Sequence, residues 1–316
     1  MKLDSQKLLD AILAEDVSPA AKEIGANLLE GWISRFMPED LTRKVAAVEC
    51  GFHIWLDEHT LIIGVQDAIF EDKELGILGG EWKTHKAPRV KLNGEFYKGD
   101  TEEDWLNEIT TGPQLAIYAL ALHAGVYYES GSTSAIRFNV AKPRIFVRAA
   151  IKSDPPVYWP TKSSGIYTFE AKYLDSIESA LASKANQIRA ARSNTFLVPW
   201  QLVGKQCFDW SREGCQFLKP YCEPHAHPQG KELECFNPHD PAYELALKYV
   251  DPKRLEDPQL VVLSASSYQL CCTCMEKYRI ITGFSGEKDT SIHLEIGHVL
   301  HTGAAEFYRQ LKGAKQ

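Results

Sequence analysis

The chain has 316 residues, 35 Lys+Arg against 42 Asp+Glu and a net charge of −7, with 44% hydrophobic and 24% charged residues. That is the balance of an ordinary globular protein rather than a disordered tail, long enough for one large domain or two small ones. No run reaches the ~18 apolar residues of a membrane helix, the first residues lack a signal peptide's apolar core, and the acidic balance speaks against coating nucleic acid by bulk charge.

The first 36 residues predict two helices. Leu8, Leu9, Ile12 and Leu13 form one apolar face, and Ala21, Ile24, Leu28, Leu29, Trp32 and Ile33 form another, at the three-to-four spacing of a helix. Ser18-Pro19 separates them as N-cap and first helical residue. Residues 44–56, 60–70 and 75–83 alternate and are β-branched, which predicts a three-strand antiparallel meander. A helix is expected over 102–124 with a break at Gly112-Pro113, strands over 135–151 (Pro143 marking a bulge or edge) and 157–169, and a long helix over 170–192. Residues 193–240 are turn-rich and aromatic. A Pro-rich connector (Pro238, Pro241, Pro252, Pro258) leads to a strand at 260–263 and helices at 265–282 and 291–312.

The chemistry concentrates on Asp67, Glu81 and Lys83. Alternate strand residues share a face, so Glu81 and Lys83 point together while Trp82 points away. A hairpin with Asp67 opposite would gather two carboxylates and one ammonium. Hard divalent cations such as Mg²⁺ take oxygen ligands of this kind, and a lysine beside them can orient water or stabilise charge on a phosphoryl group. An ordinary cross-strand salt bridge is the competing reading. Gln114 and Tyr118, at i and i+4, could reach the same place from the next helix.

Gly64-Val65-Gln66-Asp67, then Glu81-Trp82-Lys83-Thr84, then Gln114-x-x-x-Tyr118 resemble, in order, the G-x-x-D, (D/E)-x-K-T and Q-x-x-x-Y patterns of the PD-(D/E)XK nuclease superfamily. The narrower resemblance is to its RecB-like and CRISPR-associated exonuclease branch. It implies an α/β restriction-endonuclease-like core, a mixed central sheet flanked by helices, with an iron–sulfur-stapled region. It also implies Mg²⁺ or Mn²⁺ held by Asp67, Glu81 and the Trp82 backbone carbonyl, with Lys83 positioning or activating water. Gln114 and Tyr118 would orient Lys83 or contact a phosphate, and Glu49 is either a further acid behind these or an exposed strand residue.

Seven of the eight cysteines lie in the last 110 residues, and clustered thiols in a reducing compartment lean toward metal or redox chemistry. In the resembling branch a 4Fe–4S cluster takes one early and three late cysteines. Cys207-x7-Cys215-x6-Cys222 matches the late trio. The segment expected to precede the early one stands near the C-terminus instead, Leu263-Ser264-Ala265-Ser266-Ser267 and then Cys274. The branch's following G-x-x-x-H helix matches Gly297-His298-Val299-Leu300-His301. His301 is the expected metal ligand, and His298 is the fallback. The order implies a circular permutation: a nuclease core over 1–235, a connector over 236–259 and the domain's own beginning over 260–316. A truncated second copy is the competing reading. Zinc also suits four cysteines, Cys235 is a substitute ligand, and Cys50, Cys271 and Cys272 are expected to be small buried hydrophobes.

Residues 142–192 hold nine Lys+Arg and four Asp+Glu, a local +5. A basic stripe beside an acidic site would suit a backbone-reading nuclease, with Arg148, Lys184, Arg189 and Arg192 as candidate DNA contacts. A solvated helix face is the plainer explanation. The resemblance implies hydrolysis of DNA single strands or ends, in a cytoplasmic, prokaryotic or viral setting, with recombination, repair or CRISPR-adaptation proteins as partners. A DNA-end-binding or assembly subunit with a vestigial or regulated site is the alternative.

Overall fold

The structure, a computed structural model, describes residues 4–86, 112–129, 134–152, 162–163, 165–193, 241–273 and 292–314. Helix α1, Ser5–Ala14, starts at Asp4, whose carboxylate accepts from the amides of Gln6 and Lys7. Helix α2, Pro19–Asp40, is capped by Ser18 through the Ala21 amide, with Pro19 in its first turn, where a missing N–H costs nothing. The three expected strands follow as β1 (Lys44–Asp57), β2 (Thr60–Asp72) and β3 (Gly76–Lys86).

Next come α3 (Pro113–Ala124), β4 (Val126–Tyr128), β5 (Ala135–Ile136), β6 (Arg144–Lys152), β7 (Lys162–Ser163), β8 (Tyr167–Thr168) and α4 (Ala171–Ser193). The described part of the chain closes with α5 (Pro241–Ala246), α6 (Pro252–Leu255), β9 (Val261–Leu263), α7 (Ala265–Thr273) and α8 (Ile292–Ala314). The strand expected over 135–151 is thus two strands, parted around Pro143, which offers no amide to a ladder. The supposed connector contains α5 and α6, which begin at Pro241 and Pro252. Proline there opens helices rather than breaking them. Of the helix expected over 265–282, only the part up to Thr273 lies within the described residues. No helix among the described residues is long and apolar enough to cross a membrane.

Two units divide the chain, Met1–Phe52 with Val65–Asp175 and Lys288–Gln316, and His53–Gly64 with Ser176–Glu287. In the first, the strand order β5-β4-β1-β2-β3-β6-β7 makes a mixed sheet, with β8 also paired to β6. β2 and β3 are antiparallel from Asp72↔Gly76 to Ala68↔Gly80, and β3 and β6 are parallel from Leu78↔Arg144 onward. Trp32, Phe36, Phe70, Trp82, Phe146 and Tyr308 belong to one buried cluster built by α1, α2, α8 and the sheet. From Leu115 to Leu122 every residue of α3 is buried, the pattern of a helix covered on all sides.

Helices α2 and α8 meet through glycine. A Cβ on Gly25 would lie 2.3 Å from Val299 Cγ1 and 2.6 Å from its Cβ, and one on Gly303 would lie 2.4 Å from Leu29 Cδ2. A branched Cβ cannot swing aside. Gly25→Ala should therefore destabilise the protein by about 1–2 kcal/mol, since overpacking outweighs the ~1 kcal/mol of gained helix propensity. A urea melt with a lower midpoint and unchanged slope is the expected result, and a raised midpoint would contradict it.

In the second unit, Thr60–Ile62 of β2 pairs in parallel with Val261–Leu263. Leu61, Ile63, Ala242, Ala246, Val250 and Leu260 share a small core. His59 Nδ1 lies 2.6 Å from Asp257 Oδ2, which ties the β1–β2 turn to the turn before β9.

Candidate active site

The β2–β3 pairing ends at Ala68↔Gly80, and the next residue on each strand is a carboxylate, Asp67 and Glu81. The strands then take different neighbours within their own units: β3 goes on beside β6 through Lys83↔Ala149 and Thr84↔Ala150. Here the ladder opens, and Asp67 meets β3 through its side chain rather than its backbone. Asp67 Oδ2 accepts from the Trp82 amide at 2.6 Å. Asp67 Oδ1 stands 3.4 Å from His301 Nδ1 on α8.

Glu81 is 2% exposed. Its Oε1 lies 2.5 Å from Lys83 Nζ and accepts from Gln114 Nε2 at 2.8 Å. Gln114, in the first turn of α3, also accepts from Lys83 Nζ at 2.8 Å and donates to the Tyr118 hydroxyl at 2.9 Å. Glu81, Lys83, Gln114 and Tyr118 therefore form one hydrogen-bonded group. Asp67 with His301 stands beside it, held to β3 by the Trp82 amide and acting on Glu81 and Lys83 through charge. His298, the fallback, is exposed. A Cβ on Gly297 would sit 3.1 Å from Thr84 Oγ1, so the glycine of G-x-x-x-H is where α8 comes close to β3.

The charges follow from this crowding. Burial, and then the Asp67 charge, push the Glu81 carboxyl up to about 8. Burial also opposes ionisation of Asp67, but His301, the Trp82 amide and Lys83 hold it below the usual carboxylate range. Lys83 and His301 resist burial through these carboxylates, and both are held above their ordinary values. Lys83 is thus an ammonium, suited to positioning and to charge stabilisation rather than to accepting a proton.

Do these residues suit a divalent cation? Glu81 Oε2 is buried with no hydrogen-bond partner among the described residues, a costly state for a carboxylate oxygen unless a cation satisfies it. Two carboxylates pushed apart in pKa point the same way. The donor set fits in chemistry. It is not a finished cage, because Asp67 is engaged by Trp82 and His301, and among the described residues no group of three or more His, Cys, Asp or Glu is arranged to hold a metal.

Glu49 is neither simply exposed nor part of the cluster. It has φ +45° inside β1, a strained conformation for a non-glycine residue, and pairs with Arg309 of α8 at 2.8 Å. Burial raises its carboxyl against Arg309, and Asp67 and His301 are near enough to act on it.

A family model of the PD-(D/E)XK nuclease superfamily matches residues 3–219. The chain belongs to this superfamily. Comparison with curated proteins and with solved structures finds no match. The mixed sheet flanked by helices fits the restriction-endonuclease-like fold, and membership makes the protein a nuclease of the metal-dependent, phosphodiester-hydrolysing kind. Asp67, Glu81 and Lys83 all lie inside the matched stretch, and His301 lies outside it.

The basic stripe needs correction at Arg148. That side chain is fully buried, on Asp40 at 2.5 Å, and cannot touch DNA. It lies on the face of β6 that α2 and α8 cover, against Asp40, Phe36 and Tyr308, which a charge count along the chain does not register. In the second unit, Arg189 donates to the His59 carbonyl and Thr60 Oγ1, both at 2.9 Å, and Lys184 donates to Gln187. The Arg192 side chain lies outside the described residues, as do Cys207, Cys215, Cys222, Cys235 and Cys274. Cys50 and Cys271 are buried as expected, whereas Cys272 is exposed, because one helical step turns it off the face of Cys271.

Proposed function

We propose that the protein is a Mg²⁺- or Mn²⁺-dependent deoxyribonuclease that trims single strands or DNA ends. The supporting observation is the open ladder, with Asp67 and Glu81 side by side, Lys83 on Glu81 and His301 on Asp67. Asp67, Glu81, the Trp82 carbonyl and His301 would hold the cation; imidazole nitrogen favours Mn²⁺ somewhat. When bound, the cation supplies Lewis acidity toward a phosphoryl oxygen and toward water. The Lys83 ammonium faces the negative charge that grows as water attacks phosphorus. Gln114 holds both Lys83 and Glu81, which keeps the ammonium aimed.

The 4Fe–4S cluster on Cys207, Cys215, Cys222 and Cys274 is proposed on sequence spacing alone, with zinc as the alternative occupant. Chemical analysis of purified protein decides, with about four iron and four sulfide per chain expected for the cluster. The circular permutation is proposed with it: in support, α8 packs on α1 and α2 and carries His301 to Asp67. The proposed setting is cytoplasmic, with recombination, repair or CRISPR-adaptation partners.

The test incubates end-labelled single-stranded DNA, linear duplex and closed circles with Mn²⁺ or Mg²⁺, beside Asp67→Asn. Cleavage of linear but not closed DNA, lost in Asp67→Asn by at least about 10²-fold, is expected. No cleavage by the wild type with any divalent metal would favour the DNA-end-binding or assembly subunit instead.

A further inference from the structure

Trp82 stands between Glu81 and Lys83, and its side chain points to the other side of β3, where it is 1% exposed. Tyr308 of α8 stacks on it, with ring centroids 5.0 Å apart and planes at 17°. Trp32 of α2 meets it edge-on at 5.4 Å. Arg148, the register partner of Trp82 on β6, sits 4.3 Å from the Phe36 ring and 4.8 Å from the Phe146 ring. Its Nη1 donates to Asp40 Oδ2 at 2.5 Å and to the Tyr308 hydroxyl at 2.8 Å. That hydroxyl donates to Asp40 Oδ2 at 2.8 Å and accepts from Trp32 Nε1 at 3.3 Å. One buried network thus joins α2, β3, β6 and α8.

Both partners of Asp67 hang from it. The Trp82 amide, on Oδ2, belongs to the residue that Tyr308 stacks upon. His301, on Oδ1, is on the same helix as Tyr308, seven residues before it, and therefore about two turns away. We infer that Asp40, Arg148 and Tyr308 are positioning residues for the active site: they fix the Trp82 backbone from behind and set the register of α8, so that Asp67 is held between amide and imidazole. The inference rests on the nuclease reading for its consequence, though not for its geometry.

Stability alone does not account for the network. Removing Asp40 and Arg148 from water is costly, and apolar side chains of similar volume would join the four elements at least as well. Apolar contacts would not dictate orientation. A buried group held by several directed hydrogen bonds does, even with Arg148 Nε left without one among the described residues.

Two variants test this. Tyr308→Phe keeps the stacked ring and deletes the joint; Asp40→Leu with Arg148→Met replaces the ion pair by packing. Both are expected to fold. In metal-free protein the Trp82 amide should exchange with deuterium about tenfold faster, while amides from Ile69 to Asp72 keep their protection. Cleavage should lose about tenfold or more in kcat at unchanged KM, as misplacement rather than lost binding requires. Wild-type exchange at Trp82 in both variants would overturn the inference, and so would equal loss of protection across β2 and β3, the mark of a merely structural network. A wild type that cleaves nothing would remove the nuclease reading, and the exchange result would still decide the positioning.

Discussion

Lys83→Met should leave the fold and DNA affinity in place and lower kcat by about 10²–10⁴-fold. The side chain is 25% exposed, with its ammonium 2.5 Å from Glu81 Oε1 and 2.8 Å from Gln114 Oε1. Methionine fills the same volume without the charge, so the loss falls on charge that develops only during reaction. Lys83→Arg is also expected to fail to restore full rate. A planar guanidinium cannot occupy the point between Glu81 and Gln114 that a compact ammonium fills. Single-turnover cleavage measures the chemical step, and anisotropy of labelled DNA without cleavage measures binding. A Lys83→Met rate within about threefold of wild type would return Lys83 to an ordinary cross-strand ion pair.

Why was so much of this site legible in the sequence? Strand alternation and the hairpin between residues 72 and 76 decide that Asp67 meets Glu81 and that Trp82 faces away. Those are local rules, and the register obeys them. Ser18-Pro19 marked a helix start by chemistry that acts within one turn. The resemblance to a G-x-x-x-H helix, rather than any local rule, singles out His301 over His298, and the structure puts His301 Nδ1 3.4 Å from Asp67 Oδ1 while His298 is exposed. Arg148 was misread because which face of β6 is buried is decided by α2 and α8, whose Asp40 and Tyr308, 108 and 160 residues away in sequence, take its guanidinium. The Tyr308–Asp40 bond joins residues 268 apart, and no local pattern signals it. In a sequence, Tyr308 looks like one more core aromatic and Asp40 like a polar helix end. Glu49 carried no sign of its positive φ, since nothing in a run of strand formers asks for one.

Glu81→Gln should stabilise the metal-free protein at pH 8 while abolishing cleavage. Burial and the Asp67 charge put the Glu81 carboxyl at about 8 in the fold, against the ordinary 4.5. Between those values the folded chain keeps a proton that the unfolded chain has released. The fold binds more protons there, so its stability falls as pH rises through the window, by on the order of a few kcal/mol in total. Asp67 works in the opposite sense: its carboxyl is held below 3.8, so its contribution is present above that value and lost in acid. The two windows do not overlap: above pH 4.5 stability falls as Glu81 releases its proton. Glu49 and, above 6.5, His301 act in the same sense because they too are raised, and comparison with Glu81→Gln isolates the Glu81 share. Glutamine imitates the protonated acid. Wild type and Glu81→Gln should therefore have nearly matching urea midpoints at pH 4 and separate progressively up to pH 8, with the variant higher. Mn²⁺ should then close the gap from below, raising the wild-type midpoint and leaving the variant nearly unmoved, because a ligand stabilises only the state that binds it. Parallel curves for the two proteins across that pH range would mean that Glu81 is ionised and satisfied without a metal, and that the open oxygen behind Lys83 is no site for one.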